Sequence, residues 1–188
     1  MEIVKVFKNT KNALPEGCSA FAAAKDIRAD IKKIDPNLMF NAVSVWVKPT
    51  AKTGLTTAAD YNVNPNVEEY TIRAVIIMVN GRVLIPSGFN IQLPKGYSSN
   101  IRPRSGLSLK YGLIIVNSPG TIDEDYRGDV GIILSNQGNA SVIIVDGERI
   151  AQMKLEKDIE WEFEEVDTLE ELTNTDRGTG GFGSTGTH

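Results

Sequence analysis

The sequence predicts an all-β fold, a barrel or sandwich of short strands. Short apolar segments recur along the chain, and glycine, proline, asparagine or aspartate separates each from the next. Many short strands with turn residues between them are typical of barrels and sandwiches. The predicted strands are residues 4–7, 43–47, 72–79, 83–85, 89–93, 113–116, 130–135, 142–145 and 159–163.

Three local patterns support the central strands. Residues 43–47 alternate valine with serine and tryptophan, which is the period of a strand with two different faces. Residues 72–79 form a continuous apolar run that is consistent with a buried strand. Asn80-Gly81 is typical of a hairpin turn, and we expect it to join that run to residues 83–85.

Two segments near the ends of the chain are less regular. Residues 20–34 fit two structures, because the alanines favour a helix whereas Asp26–Asp30 is also typical of a strand. Ile159, Trp161 and Phe163 alternate with glutamates, which predicts an edge strand with one solvated face.

Composition restricts the class of protein. The 188 residues suit one domain, and 41% hydrophobic with 23% charged residues is ordinary for a globular protein. A net charge of −4 disfavours binding to a nucleic-acid backbone, and no apolar run approaches the roughly 20 residues of a membrane span. The single cysteine, Cys18, cannot form an internal disulfide. We therefore expect a cytoplasmic protein that binds neither nucleic acid nor membranes.

The inventory of reactive side chains points to phosphate chemistry. The only histidine is His188 at the terminus, and Cys/His spacings of the metal-binding kind are absent from the sequence. Carboxylates, arginines and backbone groups must then carry the chemistry, as they do in magnesium-assisted phosphoryl transfer.

Four segments concentrate these groups. They are residues 102–107, with two arginines, 117–128, with three carboxylates and a tyrosine, 147–153, and the glycine-rich 177–188. Taken singly, three of them have an ordinary alternative: a solvated basic turn for 102–107, an exposed hairpin for 117–128 and a flexible linker for 177–188.

Together and in this order, the segments resemble motifs of the trimeric dUTPase family, enzymes that hydrolyse dUTP to dUMP and pyrophosphate. Arg104-Ser-Gly-Leu resembles the second motif, and residues 120–128 resemble the third. Arg149-Ile-Ala-Gln resembles the fourth motif, and residues 177–186 the fifth. Four motifs in order with compatible spacing are specific.

The resemblance implies a fold and an assembly. The fold would be a distorted jelly-roll-like β-barrel over residues 1–173, assembled as a homotrimer with shared active sites. Residues 174–188 would form a flexible lid, and Mg²⁺ would be the cofactor. Asp26 and Arg104 are 78 residues apart, about twice the family's usual spacing, so we place an insertion at about residues 31–80.

For the phosphate end of dUTP, the resemblance implies one base and four binding residues. Asp123 would be the general base that activates water for in-line attack on the α-phosphate. Ser105 and Gly106 would hold the phosphate chain, with Arg104 beside it, and Gln152 would contact the α-phosphate region.

For the nucleoside, the resemblance assigns the third motif. Asn117 and the hairpin backbone at Gly120, Thr121 and Ile122 would bind uracil. Tyr126 would pack on the deoxyribose and leave no room for a 2′-hydroxyl.

For the lid, the resemblance implies closure over the bound nucleotide. Phe182 would stack on uracil, which is worth roughly 1–3 kcal/mol for such contacts. Arg177, Ser184 and Thr185 would close over the β- and γ-phosphates, with Gly183 in the same binding segment.

The first motif is the most altered. Ala23–Ala29 resembles the family pattern, with Asp26 as the aspartate that lies near the magnesium and its waters. Ala24 and Lys25 stand where the family has a glycine and an aromatic residue.

Three alternatives remain open. A dCTP deaminase shares the fold and the trimer, although the hairpin and the complete tail favour a dUTPase. A nucleotide-dependent regulator would use the dUTP-bound state to bind a protein partner through the insertion. A structural barrel without activity is the third, and the presence of Asp123, Tyr126, Gln152 and Phe182 argues against it.

Overall fold

The structure is a computed structural model that describes residues 2–17, 19–20, 22–47, 56–57, 63–64 and 72–180. The elements in chain order are β1 (Lys5–Lys8), β2 (Lys25–Arg28), β3 (Met39–Val47), β4 (Thr56–Thr57), β5 (Val63–Asn64), β6 (Ile72–Gln92), β7 (Tyr97–Pro103), α1 (Ser105–Tyr111), β8 (Leu113–Ile115), β9 (Gly120–Ile122), β10 (Asp129–Asn136), β11 (Val142–Val145) and β12 (Arg149–Lys157). Short 3-10 turns lie at Ile31–Lys33, Pro36–Leu38 and Leu169–Glu171.

The predicted predominance of β-structure is confirmed. The described strands pair in two sheets and do not form one closed barrel. The larger sheet runs β4-β11-β6-β10-β8, with β1 and β3 also on β6 and β5 on β3. The smaller sheet has the order β2-β12-β7-β9.

The long strand β6 organises the larger sheet because different parts of it pair with different strands. Its first part pairs with β3 and β11, its middle with β10, and its end with β1. The predicted hairpin at Asn80-Gly81 is wrong, since β6 continues through both residues.

A bulge takes the place of that hairpin. Phe40 pairs with Arg82 and Ala42 pairs with Ile77, so Asn41 lies opposite four residues of β6. Asn80 has a φ of 62°, and the Asn41 side chain donates a hydrogen bond to the Val79 carbonyl at 2.9 Å. The positive φ that predicted a hairpin turn thus bends a continuous strand.

One hydrophobic core joins both sheets. It contains Ile27 and Ile101 from the smaller sheet, with Ile77, Ile132 and Ile144 from the larger, and each of these is at most 2% exposed. β-Branched side chains suit such buried strands, which is why the apolar segments predicted the strands at 130–135 and 142–145.

Helix α1 occupies part of the segment that the sequence predicts as a turn. It ends at Gly112, whose φ of 67° is left-handed and whose amide donates to the Ser108 carbonyl at 3.0 Å. A Cβ there would lie 2.4 Å from the Gly138 nitrogen, so only glycine allows this close approach.

The ambiguous segment 20–34 contains a strand and no α-helix among its described residues. β2 covers Lys25–Arg28, and a 3-10 turn follows at Ile31–Lys33. The proposed insertion at about 31–80 contains β3 and the start of β6, and Val75 and Ile77 on β6 belong to the main core. The described part of this segment is therefore integral to the sheet.

Contacts divide the chain into two units, Met1–Asp158 and Ile159–His188. The strand predicted at 159–163 is wrong, since these residues form no strand. Trp161 and Phe163 instead make an edge-to-face contact with ring centroids 4.7 Å apart. Within the described residues, no helix has both the length and the apolar character needed to cross a membrane.

Candidate active site

The outer face of the smaller sheet carries Gln152 of the fourth motif, and the second motif follows strand β7 of the same sheet. In β12, Met153 and Leu155 pack against the core, so Gln152, Lys154 and Glu156 lie on the opposite face. The register places Gln152 between Asp26 of β2 and Arg102 of β7. This outer face is polar because the outward-facing residues of β2, β12 and β7, which occupy every second position, are polar.

An aspartate clamped by two arginines lies at the β2 edge of this face. Asp26 Oδ1 accepts a hydrogen bond from Arg104 Nε at 3.1 Å, and Oδ2 accepts one from Arg149 Nη1 at 3.3 Å. Arg104 Nη1 also donates to the Arg149 carbonyl at 2.9 Å. Asp26 is 7% exposed, whereas the Arg104 and Arg149 side chains are 26% and 43% exposed.

The start of α1 is open to solvent beside this cluster. The Arg104 carbonyl accepts hydrogen bonds from Leu107 and Ser108, while Ser105 and Gly106 form the exposed first positions of the helix. Gln152 Nε2 donates to the Pro103 carbonyl at 2.8 Å and so fixes the end of β7 before the helix. Arg104, Ser105, Gly106 and Gln152 are thus brought together.

The third motif forms a separate turn after β9. Asn117 lies against Gly120, where an added Cβ would be 2.9 Å from Asn117 Nδ2. Thr121 is exposed and Ile122 packs partly against the core. Asp123 is exposed, and its carbonyl accepts a hydrogen bond from the Tyr126 amide at 3.1 Å.

The Tyr126 side chain is held at its hydroxyl end. Its hydroxyl donates to the Asp129 carbonyl at 2.9 Å, and the ring is 41% exposed. A Cβ on Gly128 would lie 2.3 Å from that hydroxyl oxygen, so the glycine allows the ring to lie flat on the turn.

Within one chain, Asp123 and Gln152 are far apart. β9 and β12 are separated by β7, which is two strand spacings or about 10 Å. Ile122 aligns with Ser99 and Leu155, three residues or about 10 Å along the strands from Gln152. The Cα atoms of Gln152 and of Ile122, the residue before Asp123, are therefore roughly 14 Å apart in a single chain.

A polar network connects the third motif to the rest of the outer face. Thr121 Oγ1 donates to Asn100 Oδ1 at 3.2 Å, and Asn100 Nδ2 donates to Glu156 Oε2 at 2.6 Å. Glu156 Oε1 accepts from Lys154 at 3.0 Å and from Arg102 at 2.7 Å. The Lys154 hydrogen bond is the largest of the effects that lower the pKa of the Glu156 carboxyl.

The turn between β11 and β12 contains Glu148, the second carboxyl with a shifted pKa. Burial raises the pKa of Glu148 from 4.5 to about 7, although a hydrogen bond from the Val145 amide at 3.0 Å partly opposes this. The Glu148 carbonyl accepts from Ala29, and the Gly147 amide donates to the Ala29 carbonyl. The turn is thereby bound to the end of β2, close to Arg149.

The raised pKa of Glu148 predicts that the free energy of unfolding decreases as pH rises. Because the folded pKa is above the unfolded value, the contribution of Glu148 is complete below pH 4.5 and is lost as pH rises through about 7. Because of this carboxyl, the free energy of unfolding measured with urea should be about 1–3 kcal/mol higher at pH 5 than at pH 8. Glu148→Gln should remove that difference. Equal pH dependence in the variant and the wild type would contradict this cause, and the exposed Glu160→Gln is the control.

The described residues do not fit a metal ion held by the protein alone. No group of three or more histidine, cysteine, aspartate or glutamate side chains is arranged for a metal within the described ranges. Asp26 presents both oxygens to arginines, which is the environment of an ion pair and not of a direct ligand. Any metal at this site would need other ligands, such as the oxygens of a bound phosphate chain.

The fifth motif is described only in part. The Arg177 Nε donates to the Gly180 carbonyl at 2.9 Å within an exposed turn. The predicted contacts Phe182, Gly183, Ser184 and Thr185 lie outside the described residues.

Comparison with known proteins identifies the family. The family model described as dUTPase matches residues 68–186, which is more than half of the chain. The chain belongs to the dUTPase family. The matched range includes every residue predicted to bind nucleotide, whereas Asp26 precedes it.

Curated dUTPases resemble the chain closely. The deoxyuridine 5'-triphosphate nucleotidohydrolase of Roseobacter denitrificans is 52% identical over 112 residues, covering 60% of this chain and 72% of that protein. The enzyme of the same name from Chlamydia trachomatis serovar L2 is 46% identical over 129 residues, covering 69% and 85%.

Solved dUTPases share the fold over nearly the whole chain. The dUTPase of Staphylococcus bacteriophage 80alpha with dUPNHPP superimposes with a TM-score of 0.65 at 21% identity, covering 98% of each chain. The motif residues thus predicted the family correctly. Arg149 was named in the fourth motif but given no role, because its contact with Asp26 joins residues 123 positions apart.

Proposed function

We propose that this dUTPase-family enzyme hydrolyses the magnesium complex of dUTP to dUMP and pyrophosphate. Water attacks the α-phosphate in line, and Asp123 removes its proton. The observation that carries the proposal is the dUTPase match over residues 68–186, which includes the second to fifth motifs. The two curated dUTPases match this chain over 72% and 85% of their own length, which supports the same activity.

The phosphate chain binds at the start of α1. Ser105 and Gly106 supply exposed backbone and a hydroxyl, and the first N–H groups of a helix have no partner within the helix. The partly exposed Arg104 adds positive charge, and Gln152 contacts the α-phosphate region. Positioning and charge stabilisation then supply most of the rate enhancement, as expected for phosphoryl transfer.

The nucleoside binds at the third motif. Asn117 and the backbone of Gly120, Thr121 and Ile122 pair with uracil, whose donor and acceptor pattern excludes cytosine. The exposed face of Tyr126 packs on the deoxyribose, and its hydroxyl bond to Asp129 keeps the ring in place. A ribose hydroxyl has no room on that face.

Active sites are shared between subunits of a homotrimer. The third motif follows β9 and Gln152 lies in β12, with β7 between these strands, and this separation within one chain supports sharing. Closed threefold symmetry permits one subunit to supply α1 and another the third motif. Residues 174–188 form a lid on the bound nucleotide, with Arg177, Ser184 and Thr185 on the phosphates, Gly183 beside them and Phe182 on uracil.

Magnesium would be held by oxygens of the bound triphosphate, and it would supply positive charge that offsets the repulsion of the attacking water. This agrees with the absence of a protein-only metal cluster among the described residues. The chain's own residues orient the phosphates, hold the sugar and accept the proton.

Pyrophosphate release from dUTP, dCTP, dTTP and UTP, each with magnesium and with a chelator, tests the proposal. We expect rapid magnesium-dependent release from dUTP alone. Binding of dUTP without hydrolysis would indicate a nucleotide-dependent regulator. Ammonia from dCTP would indicate a deaminase and overturn the proposal.

Gly106→Ala separates the phosphate-binding role of α1 from its role in the fold. An added methyl group would meet no atom within 4 Å, so the free energy of unfolding should stay the same or rise by up to about 1 kcal/mol. If phosphate lies against this position, KM for dUTP should rise about tenfold or more, which corresponds to about 1.4 kcal/mol. Steady-state kinetics and urea unfolding measure both, and Leu109→Ala on the same helix is the control. An unchanged KM would show that the phosphate does not approach Gly106.

A further inference from the structure

We propose that Asp129 is a positioning residue for Tyr126 and thereby determines how strictly the enzyme selects deoxyribose over ribose. The inference deepens the proposed function, on which it rests for the substrate. Asp129 directly follows the third motif, and the residues that hold it lie in a second bulge of β6, at residues 86–90. Part of the sugar selectivity is thus assigned to residues outside all five motifs.

The backbone carbonyl of Asp129 carries the contact with Tyr126. The tyrosine hydroxyl donates a hydrogen bond to this carbonyl at 2.9 Å. Because the hydroxyl is the far end of the side chain, a displacement of the carbonyl would displace the ring as well. The position of the Asp129 backbone therefore determines where the ring lies against a bound sugar.

The Asp129 side chain fixes that backbone to the second bulge. Its Oδ1 atom accepts hydrogen bonds from the Ser87 amide at 3.0 Å, the Gly88 amide at 3.1 Å and the Ser87 hydroxyl at 3.3 Å. Ser87 is 2% exposed and Gly88 is buried, so both amides need an acceptor within the protein. Three donors converge on one oxygen and leave the aspartate little freedom to move.

The pairing of β6 with β10 explains why these amides bind a side chain. Asp129 pairs with Asn90 and Gly131 pairs with Pro86, so three residues of β6 lie opposite one residue of β10. The left-handed φ of 76° at Gly88 allows this bulge. Amides within a bulge leave the regular ladder, and the Asp129 side chain supplies the acceptor that the ladder does not.

Asn90 provides a second connection between the bulge and the turn. Its Nδ2 atom donates to the Arg127 carbonyl at 2.8 Å, and Arg127 directly follows Tyr126 in the chain. The turn is therefore tied to the bulge both immediately before and immediately after Gly128. A ring that is held by such a turn cannot withdraw to make room for a 2′-hydroxyl.

The ratio of kcat/KM for dUTP to kcat/KM for UTP measures this selectivity. Asp129→Ala removes the acceptor of all three hydrogen bonds, and we expect the ratio to fall about tenfold or more. Asp129→Asn keeps an oxygen acceptor in the same place, so its ratio should stay within about threefold of the wild-type ratio. An unchanged ratio in Asp129→Ala would overturn the proposal. An asparagine that behaves like the alanine would also overturn it, because the acceptor would then not be the cause.

Asn136→Ala is the matched control for a general loss of stability. Asn136 lies at the other end of β10, and its buried side chain also bonds three backbone groups, those of Ile77, Gly138 and Ala140. Both alanine variants should lower the melting temperature by about 2–12 °C, but only Asp129→Ala should lower the ratio. An equal loss of selectivity in the two variants would show a merely structural role and overturn the proposal.

A milder variant covers the case in which Asp129→Ala does not fold. Asn90→Ala removes the bond to the Arg127 carbonyl from a half-buried side chain, and it should lower the ratio by about threefold or more. An unchanged ratio in this variant would then overturn the proposal.

Two further measurements separate this inference from the proposed function. If the wild type binds nucleotide without hydrolysis, calorimetry with the analogue dUpNHpp and its ribose counterpart gives the selectivity as a ratio of Kd values. If it neither binds nor hydrolyses, the proposed function fails, and hydrogen exchange of the Tyr126 amide judges the anchor alone. Exchange should be about tenfold faster or more in Asp129→Ala and unchanged in Asn136→Ala. Equal exchange in Asp129→Ala and the wild type would refute the anchor.

Discussion

Asp123→Asn is expected to lower kcat for dUTP by about 10²- to 10⁴-fold, the usual contribution of a general base. The side chain is exposed in the turn after β9, and only its backbone carbonyl supports the turn, through the Tyr126 amide. Asparagine has the same shape but cannot accept the proton of the attacking water. The loss should therefore appear in kcat, while Kd for dUpNHpp should change less than about threefold. Single-turnover kinetics and calorimetry measure the two quantities.

The neighbouring acids of the turn supply a matched control for Asp123. Asp125 is also exposed and lies two residues further on. Asp125→Asn should therefore retain wild-type kcat. If instead Asp123→Asn keeps full turnover and Asp125→Asn loses it, the base is misassigned. Equal losses in both variants would indicate that the turn supplies general negative charge and no specific proton acceptor.

Local sequence patterns predicted the strands correctly in segments whose apolar side chains are buried in the core. The apolar run at 142–145 is β11 residue for residue, and 130–135 lies inside β10. Both segments are rich in β-branched residues that fill the core. The same side chains therefore predict the strands in the sequence and stabilise them in the fold.

The errors arose where a pattern has two structural uses. Asn80-Gly81 supplies a positive φ, which a hairpin needs but a bulge in a long strand also needs. The alternation of Ile159, Trp161 and Phe163 fits a strand, yet a strand exists only when a neighbour pairs with it. Helix α1 begins with Ser105-Gly106, a pair that is also typical of turns. The helix is too short for a helical pattern to outweigh that signal.

Site chemistry was predictable as motifs but not as contacts. The sequence placed Asp26, Arg104 and Gln152 in three separate motifs, and the sheet order brings them to one face. The raised pKa of Glu148 depends on burial by a turn whose packing no local pattern reveals. Pairings over such sequence distances require the tertiary structure.

Deletion of residues 177–188 is expected to lower kcat/KM for dUTP by at least about 100-fold while leaving the β-sheet fold intact. Loss of the Phe182 stacking contact alone is worth roughly 1–3 kcal/mol, and the deletion also removes the Arg177 charge and the hydroxyls of Ser184 and Thr185. The strands all belong to the unit Met1–Asp158, so circular dichroism and the melting temperature should stay near the wild-type values. Pyrophosphate release measures the kinetic loss.

Shorter changes locate the effect within the tail. Phe182→Ala should account for about a five- to 150-fold loss, which is the stacking energy expressed as a rate factor. Removal of residues 187–188 alone should have no effect, because these residues carry none of the proposed contacts. A full deletion with unchanged kcat/KM would refute the lid.

A mixing experiment distinguishes a lid on its own subunit from one that closes a neighbour's site. Neither Asp123→Asn nor the truncated chain can turn over dUTP efficiently alone. If the third motif and the tail of one site come from different subunits, trimers re-formed from both variants contain sites with an intact Asp123 and an intact tail, so activity should return. If both come from the same chain, every site in the mixture lacks one of them and the activity stays low. Recovery of activity would thus support sites in which one subunit supplies the third motif and another supplies the tail.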